Sequence, residues 1–180
     1  MKNKQRVLKL VLSGLFLALA YVLPFLTGQI REIGNMLCPM HIPVLLCGFV
    51  CGLQYGAAVG FTVPLFRSFT LGMPALFPNA LCMALELAAY GCVAGLTYRI
   101  LPKKKIYIYI SLIISMIAGR IAFGVSMFAL IGISGGKYTL STFLAGAVVN
   151  AIPGIILQII LIPVLVIILD NPKILNLKEK

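Results

Sequence analysis

A chain of 180 residues that is 61% hydrophobic and only 11% charged departs from the half-apolar, quarter-charged make-up of soluble domains, so lipid is its expected solvent. Its formal net charge of +11 is distributed in a way that excludes a nucleic-acid reader. Most basic residues sit in an N-terminal tail (Lys2, Lys4, Arg6, Lys9), a loop edge (Arg99, Lys103, Lys104, Lys105) and a C-terminal tail (Lys173, Lys178, Lys180), not on one face interleaved with stacking aromatics.

The first apolar stretch, 7–26, is too long for a signal peptide, and no small-x-small cleavage site follows at Thr27-Gly28-Gln29, so a retained helix is expected. Gly14 and Ala18 lie one turn apart on it, beside Ser13 and Ala20, a small-residue surface on which a partner helix can dock closely. The stretches 37–53 and 55–70 are broken by Pro39, Pro43, Gly48, Gly52, Gly60 and Pro64, and read as short, tilted or partly irregular spans. Irregular backbone at membrane depth is tolerated only where protein or a wet cavity shields it. The stretches 79–100, 106–133 and 141–169 complete six expected crossings of a hydrocarbon core about 30 Å thick.

The expected fold class is therefore an all-α membrane protein, a six-transmembrane-helix bundle forming one domain over 1–180 and lying in the cell membrane as a multi-pass protein. The basic tails and the basic loop after the fourth span fall on one side, which the positive-inside rule makes cytoplasmic. Both termini are then cytoplasmic, and the loops 27–36, 71–78 and 134–140 face outward.

Strongly polar groups inside a span are costly and are functional candidates by default. Four stand out: Asn79, Glu86, Arg120 and Asn150. Asn79, Met83, Glu86 and Tyr90 recur at helical spacing along one stripe. Counted along their helices, Glu86, Arg120 and Asn150 converge on the outer half of the bilayer, as a polar pocket reached from outside requires. The alternative is that Glu86 and Arg120 only neutralise each other in the core.

His41, at the start of the second span, is expected to cap the helix or contact a solute. Met36, Cys38 and Met40 lie nearby, but no second His or carboxylate shares the segment, so no metal is expected. Arg67 and Lys137, near outer ends, either attract an anion or snorkel into headgroups. The five cysteines are an odd number scattered through apolar runs and read as buried thiols. There is no phosphate loop, nucleophile elbow or His-Glu-x-x-His helix, so neither catalysis nor a cofactor is expected.

The run His41-Ile42-Pro43-Val44-Leu45-Leu46-Cys47-Gly48-Phe49, then Gly52 to Gly60, Gly72-Met73-Pro74 with Phe77-Pro78, and Met83-Ala84-Leu85-Glu86 through Tyr90-Gly91, resembles the substrate-binding S components of energy-coupling factor (ECF) vitamin transporters. The resemblance covers essentially the whole chain. It implies a six-helix bundle with a vitamin-sized pocket near the outer surface, covered by the outer loops. It also implies two kinds of partner, a transmembrane coupling subunit meeting the first helix at Gly14 and Ala18, and two separate ATPase subunits that drive uptake. The pantothenate-type branch looks closest, through the His-Ile-Pro-Val segment and the Gly-Met-Pro to Phe-Pro loop. The expected substrate contacts are Asn79, Glu86, Tyr90, Arg120, Asn150, His41 and Arg67. The alternatives are an S component for another micronutrient, a stand-alone secondary carrier of a small organic anion, and an intramembrane enzyme or structural subunit. Met40-His41-Ile42-Pro43 is also similar to the N-terminus of nickel and cobalt S components, but those use a free terminal amine and this string is internal.

Overall fold

The apolar stretches condense into helices that end where Gly and Pro interrupt them. A computed structural model describes residues 2–26, 36–102, 104–133, 139 and 151–169. Among these residues there are helices α1 (Lys2–Leu26), α2 (His41–Cys51), α3 (Leu53–Leu71), α4 (Leu81–Ile100), α5 (Lys105–Ile133) and α6 (Ile152–Leu169), with a π turn, Leu76–Ala80, leading into α4. No strand occurs among them. The six helices occupy the expected places, although positions 141–150 of the last expected span, Asn150 included, and Lys137 lie outside the described residues.

Among the described residues, four segments are long and apolar enough to cross a membrane: Asn3–Leu26, Leu76–Ile100, Lys105–Ile133 and Ile152–Leu169. The other two expected crossings fall short for different reasons. α2 has 11 residues, or roughly 16 Å of helix, about half a hydrocarbon core. α3, at 19 residues, is long enough but less apolar, because it carries Gln54, Arg67 and Ser68 among its glycines.

The distribution of polarity is inverted relative to a soluble domain. Glu86, His41, Arg67, Ser111, Ser115 and Gln158 are buried, while Leu15, Phe61, Phe69, Ile117, Ile121 and Ile160 are exposed. Apolar surface on this scale is what a lipid-facing exterior provides, and polar groups turned inward are what it demands. α2 lies at the centre, with every residue but Val50 buried.

Glycine sets the spacing of the central helices. Gly52 alone separates α2 from α3; its φ of 98° is open to glycine and strained for other residues, and its N–H closes the end of α2 on the Cys47 and Gly48 carbonyls at 3.3 and 3.1 Å. The chain thus reverses on itself, and a Cβ placed on Gly56 would lie 2.7 Å from the Gly48 Cα and 2.7 Å from the Gly91 carbonyl oxygen. Along α4, Gly91 abuts the Gly56 carbonyl, Gly95 the Leu53 nitrogen, and Gly60 of α3 abuts the Leu87 carbonyl. α3 and α4 are therefore antiparallel and meet backbone to backbone, the close approach that small residues permit between helices in lipid.

α5 returns antiparallel to α4, with side-chain contacts pairing Thr97 with Ser111, Glu86 with Arg120 and Cys82 with Met127. α1 runs alongside α3, where the buried Arg67 guanidinium donates to the Tyr21 carbonyl and sits 5.5 and 5.3 Å from the Tyr21 and Phe25 ring centres. Pro24, inside α1, removes an N–H from that same stretch of helix. Ser13, Phe16 and Ala20 are buried, whereas Gly14 and Ala18 lie on the exposed side of α1.

Candidate functional site

The polar cluster forms where four pieces of chain meet. α4 supplies Glu86 and, one turn further on, Tyr90; they share a face because residues four apart on a helix are neighbours. α5 supplies Arg120 from opposite α4, and Gly119 beside it lets the Tyr90 ring lie close, since a Cβ there would come within 2.8 Å of that ring. α2 supplies His41 at its first residue, and the segment entering α2 supplies Cys38. Cys38 has a φ of 47°, a left-handed conformation uncommon outside glycine, and is itself buried.

Arg120 Nη1 donates to Glu86 Oε1 at 2.9 Å, with the arginine side chain 18% and the glutamate 2% exposed. Arg120 Nη2 lies 3.9 Å from Cys38 Sγ. His41 Nε2 lies 3.5 Å from the same Glu86 oxygen, short of a formed hydrogen bond, and its ring meets Tyr90 edge-on at 5.1 Å and 74°.

The pair is therefore made, yet the cluster around it is under-satisfied. Both His41 ring nitrogens, the Tyr90 hydroxyl, Arg120 Nε and Gln158 Oε1 are buried and meet no hydrogen-bond partner among the described residues. Buried polar atoms are nearly always paired, and leaving one unpaired costs roughly 1–3 kcal/mol. The His41, Tyr90 and Arg120 atoms beside the ion pair thus leave hydrogen-bonding capacity unused. Among the described residues no group of three or more His, Cys, Asp or Glu side chains is placed to hold a metal ion.

The sequence-derived candidates divide accordingly. Glu86, Arg120, Tyr90 and His41 are brought together. Asn79 is half-buried in the π turn, seven residues before Glu86 and so on the same side of the helix. Arg67 is engaged by α1 through Tyr21 and Phe25 and not by the cluster. Cys38 and Gln158, absent from the sequence-derived set, join the buried polar groups.

The family model for the ECF transporter substrate-specific component matches residues 8–166, a span that includes every residue of the cluster. The chain belongs to that family. No curated protein and no solved structure matches it. As an S component it is a multi-pass membrane subunit of a transporter and not itself an enzyme. S components associate with the ECF module, made of a transmembrane coupling subunit and ATPase subunits, and with a small-molecule substrate. Gly14 serves no internal packing, because a Cβ there would meet nothing within 4 Å.

Proposed function

We propose that this S component captures a small, vitamin-sized polar solute between α2, α4 and α5 for ATP-driven import, with Glu86, Arg120, His41 and Tyr90 as its principal contacts. The single observation that carries the reading is the buried Glu86–Arg120 pair at 2.9 Å surrounded by unpaired polar atoms. A pair serving only cohesion gains from having its remaining lone pairs and protons satisfied; here the donors around it are left over. The basic tails and the basic loop between α4 and α5 support cytoplasmic termini by the positive-inside rule, an orientation that turns the π-turn end of the bundle, and with it the cluster, to the outside.

Pantothenate is the solute to test first, because the family resemblance points to that branch and its carboxylate, amide and hydroxyls match an arginine, a glutamate and neutral donors. Purified protein is expected to bind radiolabelled pantothenate saturably at micromolar concentration, and Arg120→Ala to abolish that binding. Absence of saturable binding rules this vitamin out. Mass spectrometry of small molecules copurifying with the protein then identifies the micronutrient, and recovery of none removes support for solute capture. Uptake in cells lacking the ATPase subunits would instead point to a stand-alone carrier.

The exposed pair Gly14 and Ala18 supports docking of α1 on the coupling subunit. Gly14→Leu is expected not to lower the thermal stability of the isolated protein, since the position is open, and to cut copurification of the ECF module at least tenfold. Retained copurification would remove α1 from the interface.

A further inference from the structure

Gln158 is the one polar side chain of α6 and is 1% exposed, yet its amide oxygen meets no donor among the described residues. Glutamines buried between membrane helices usually hydrogen-bond across to a neighbour. The helix of Gln158 is drawn against the chain that enters α2. At Gly154 a Cβ would lie 2.6 Å from the Met36 carbonyl oxygen and 2.9 Å from that of Leu37, so α6 touches the chain just before Cys38, the residue that reaches Arg120. Gln158 lies one turn further along the same face of α6. α6 packs against both α2 and α5, the helices that carry His41 and Arg120.

We infer that Gln158 is a solute-binding residue of this site, accepting a hydrogen bond from a hydroxyl or amide N–H of the bound molecule. This rests on the solute-capture reading above and narrows it. Arg120 and Tyr90 offer donors from α5 and α4, while Gln158 offers an acceptor from α6. The solute therefore carries a carboxylate or carbonyl together with at least one O–H or N–H. A plain inorganic anion, or an aprotic carboxylate, leaves the Gln158 oxygen unpaired and is selected against.

The near-isosteric Gln158→Met variant separates binding from structure. Replacing a buried amide whose oxygen is unpaired by an apolar group of similar shape removes that oxygen's desolvation cost, so the purified variant without added solute is expected to unfold close to the parent's temperature. Its affinity for radiolabelled pantothenate is expected to fall about ten- to a hundredfold, and small molecules released on denaturation and read by mass spectrometry are expected to be depleted relative to the parent. A lower unfolding temperature with undiminished solute retention makes Gln158 structural and overturns the inference. Equal retention at equal stability overturns it too, while leaving capture by Glu86 and Arg120 standing. A parent protein that neither binds pantothenate nor releases any solute overturns both.

Discussion

Glu86→Ala is expected to cost roughly 3–5 kcal/mol of stability, the loss associated with leaving one member of a buried ion pair without its partner. Glu86 is 2% exposed, and Arg120 donates to it at 2.9 Å from a side chain only 18% exposed. Removing the carboxylate strands the buried guanidinium without its counter-charge, with Cys38 Sγ 3.9 Å away. Thermal unfolding of the detergent-purified variant checks this; unfolding at the parent's temperature would mean that the pair is not formed in the membrane protein. The double variant Glu86→Gln, Arg120→Met is the sharper experiment, because two neutral side chains of similar length leave no stranded charge. It is expected to fold with near-parental stability and to bind no solute. A double variant that binds as the parent does would reduce the pair to a structural fixture and end its role in capture.

Gly91→Ala is expected to be among the most damaging single-methyl changes at the described glycines. The added Cβ would collide with the Gly56 carbonyl group and lie 2.8 Å from the Gly56 Cα; all three atoms are backbone, so no side chain can rotate out of the way. Overpacking a core typically costs 1–3 kcal/mol when neighbours can adjust. Here α3 must separate from α4, so the expected cost exceeds about 3 kcal/mol. Size-exclusion profiles and yield of monodisperse protein measure the outcome. Gly14→Ala is the internal control, since the same methyl at that position meets nothing and removes a helix-interior glycine, worth about 1 kcal/mol in favour of the helix. Equal behaviour of the two variants would refute the backbone-contact packing of α3 on α4.

Much of this architecture was legible because a membrane chain advertises its spans. The stretches 55–70 and 106–133 end within two residues of α3 and α5, and 7–26 ends with α1 at Leu26, although α1 begins five residues earlier at Lys2. The start of α2 was placed at 37 but lies at His41. The residues before it, Cys38 and Met40, are buried like the helix itself, and an apolar sequence cannot distinguish buried irregular chain from buried helix. For the same reason α2 was expected to be a full crossing.

The cluster was legible to the extent that its members are conspicuous. Glu86, Arg120 and His41 stand out from apolar surroundings, and the four- and three-residue spacings from Asn79 to Tyr90 put a stripe on one helix. Gln158 is as conspicuous, a lone amide in α6, and the same rule on polar groups within spans would have found it. Cys38 could not be found that way, because a cysteine in an apolar run reads as a small hydrophobe. The engagement of Arg67 by Tyr21 and Phe25 depends on which helices adjoin, and that adjacency is a tertiary fact with no local signature.

Helices in carbonyl contact have no side-chain cushion over which to slide. Because α2, α3 and α4 touch through Gly48, Gly56, Gly60, Gly91 and Gly95, relative displacement within that trio would drive main chain into main chain. The trio is the stator of the molecule. The Arg120 stretch of α5 is seated differently, against the side chains of Glu86 and Tyr90, and meets no such main-chain stop.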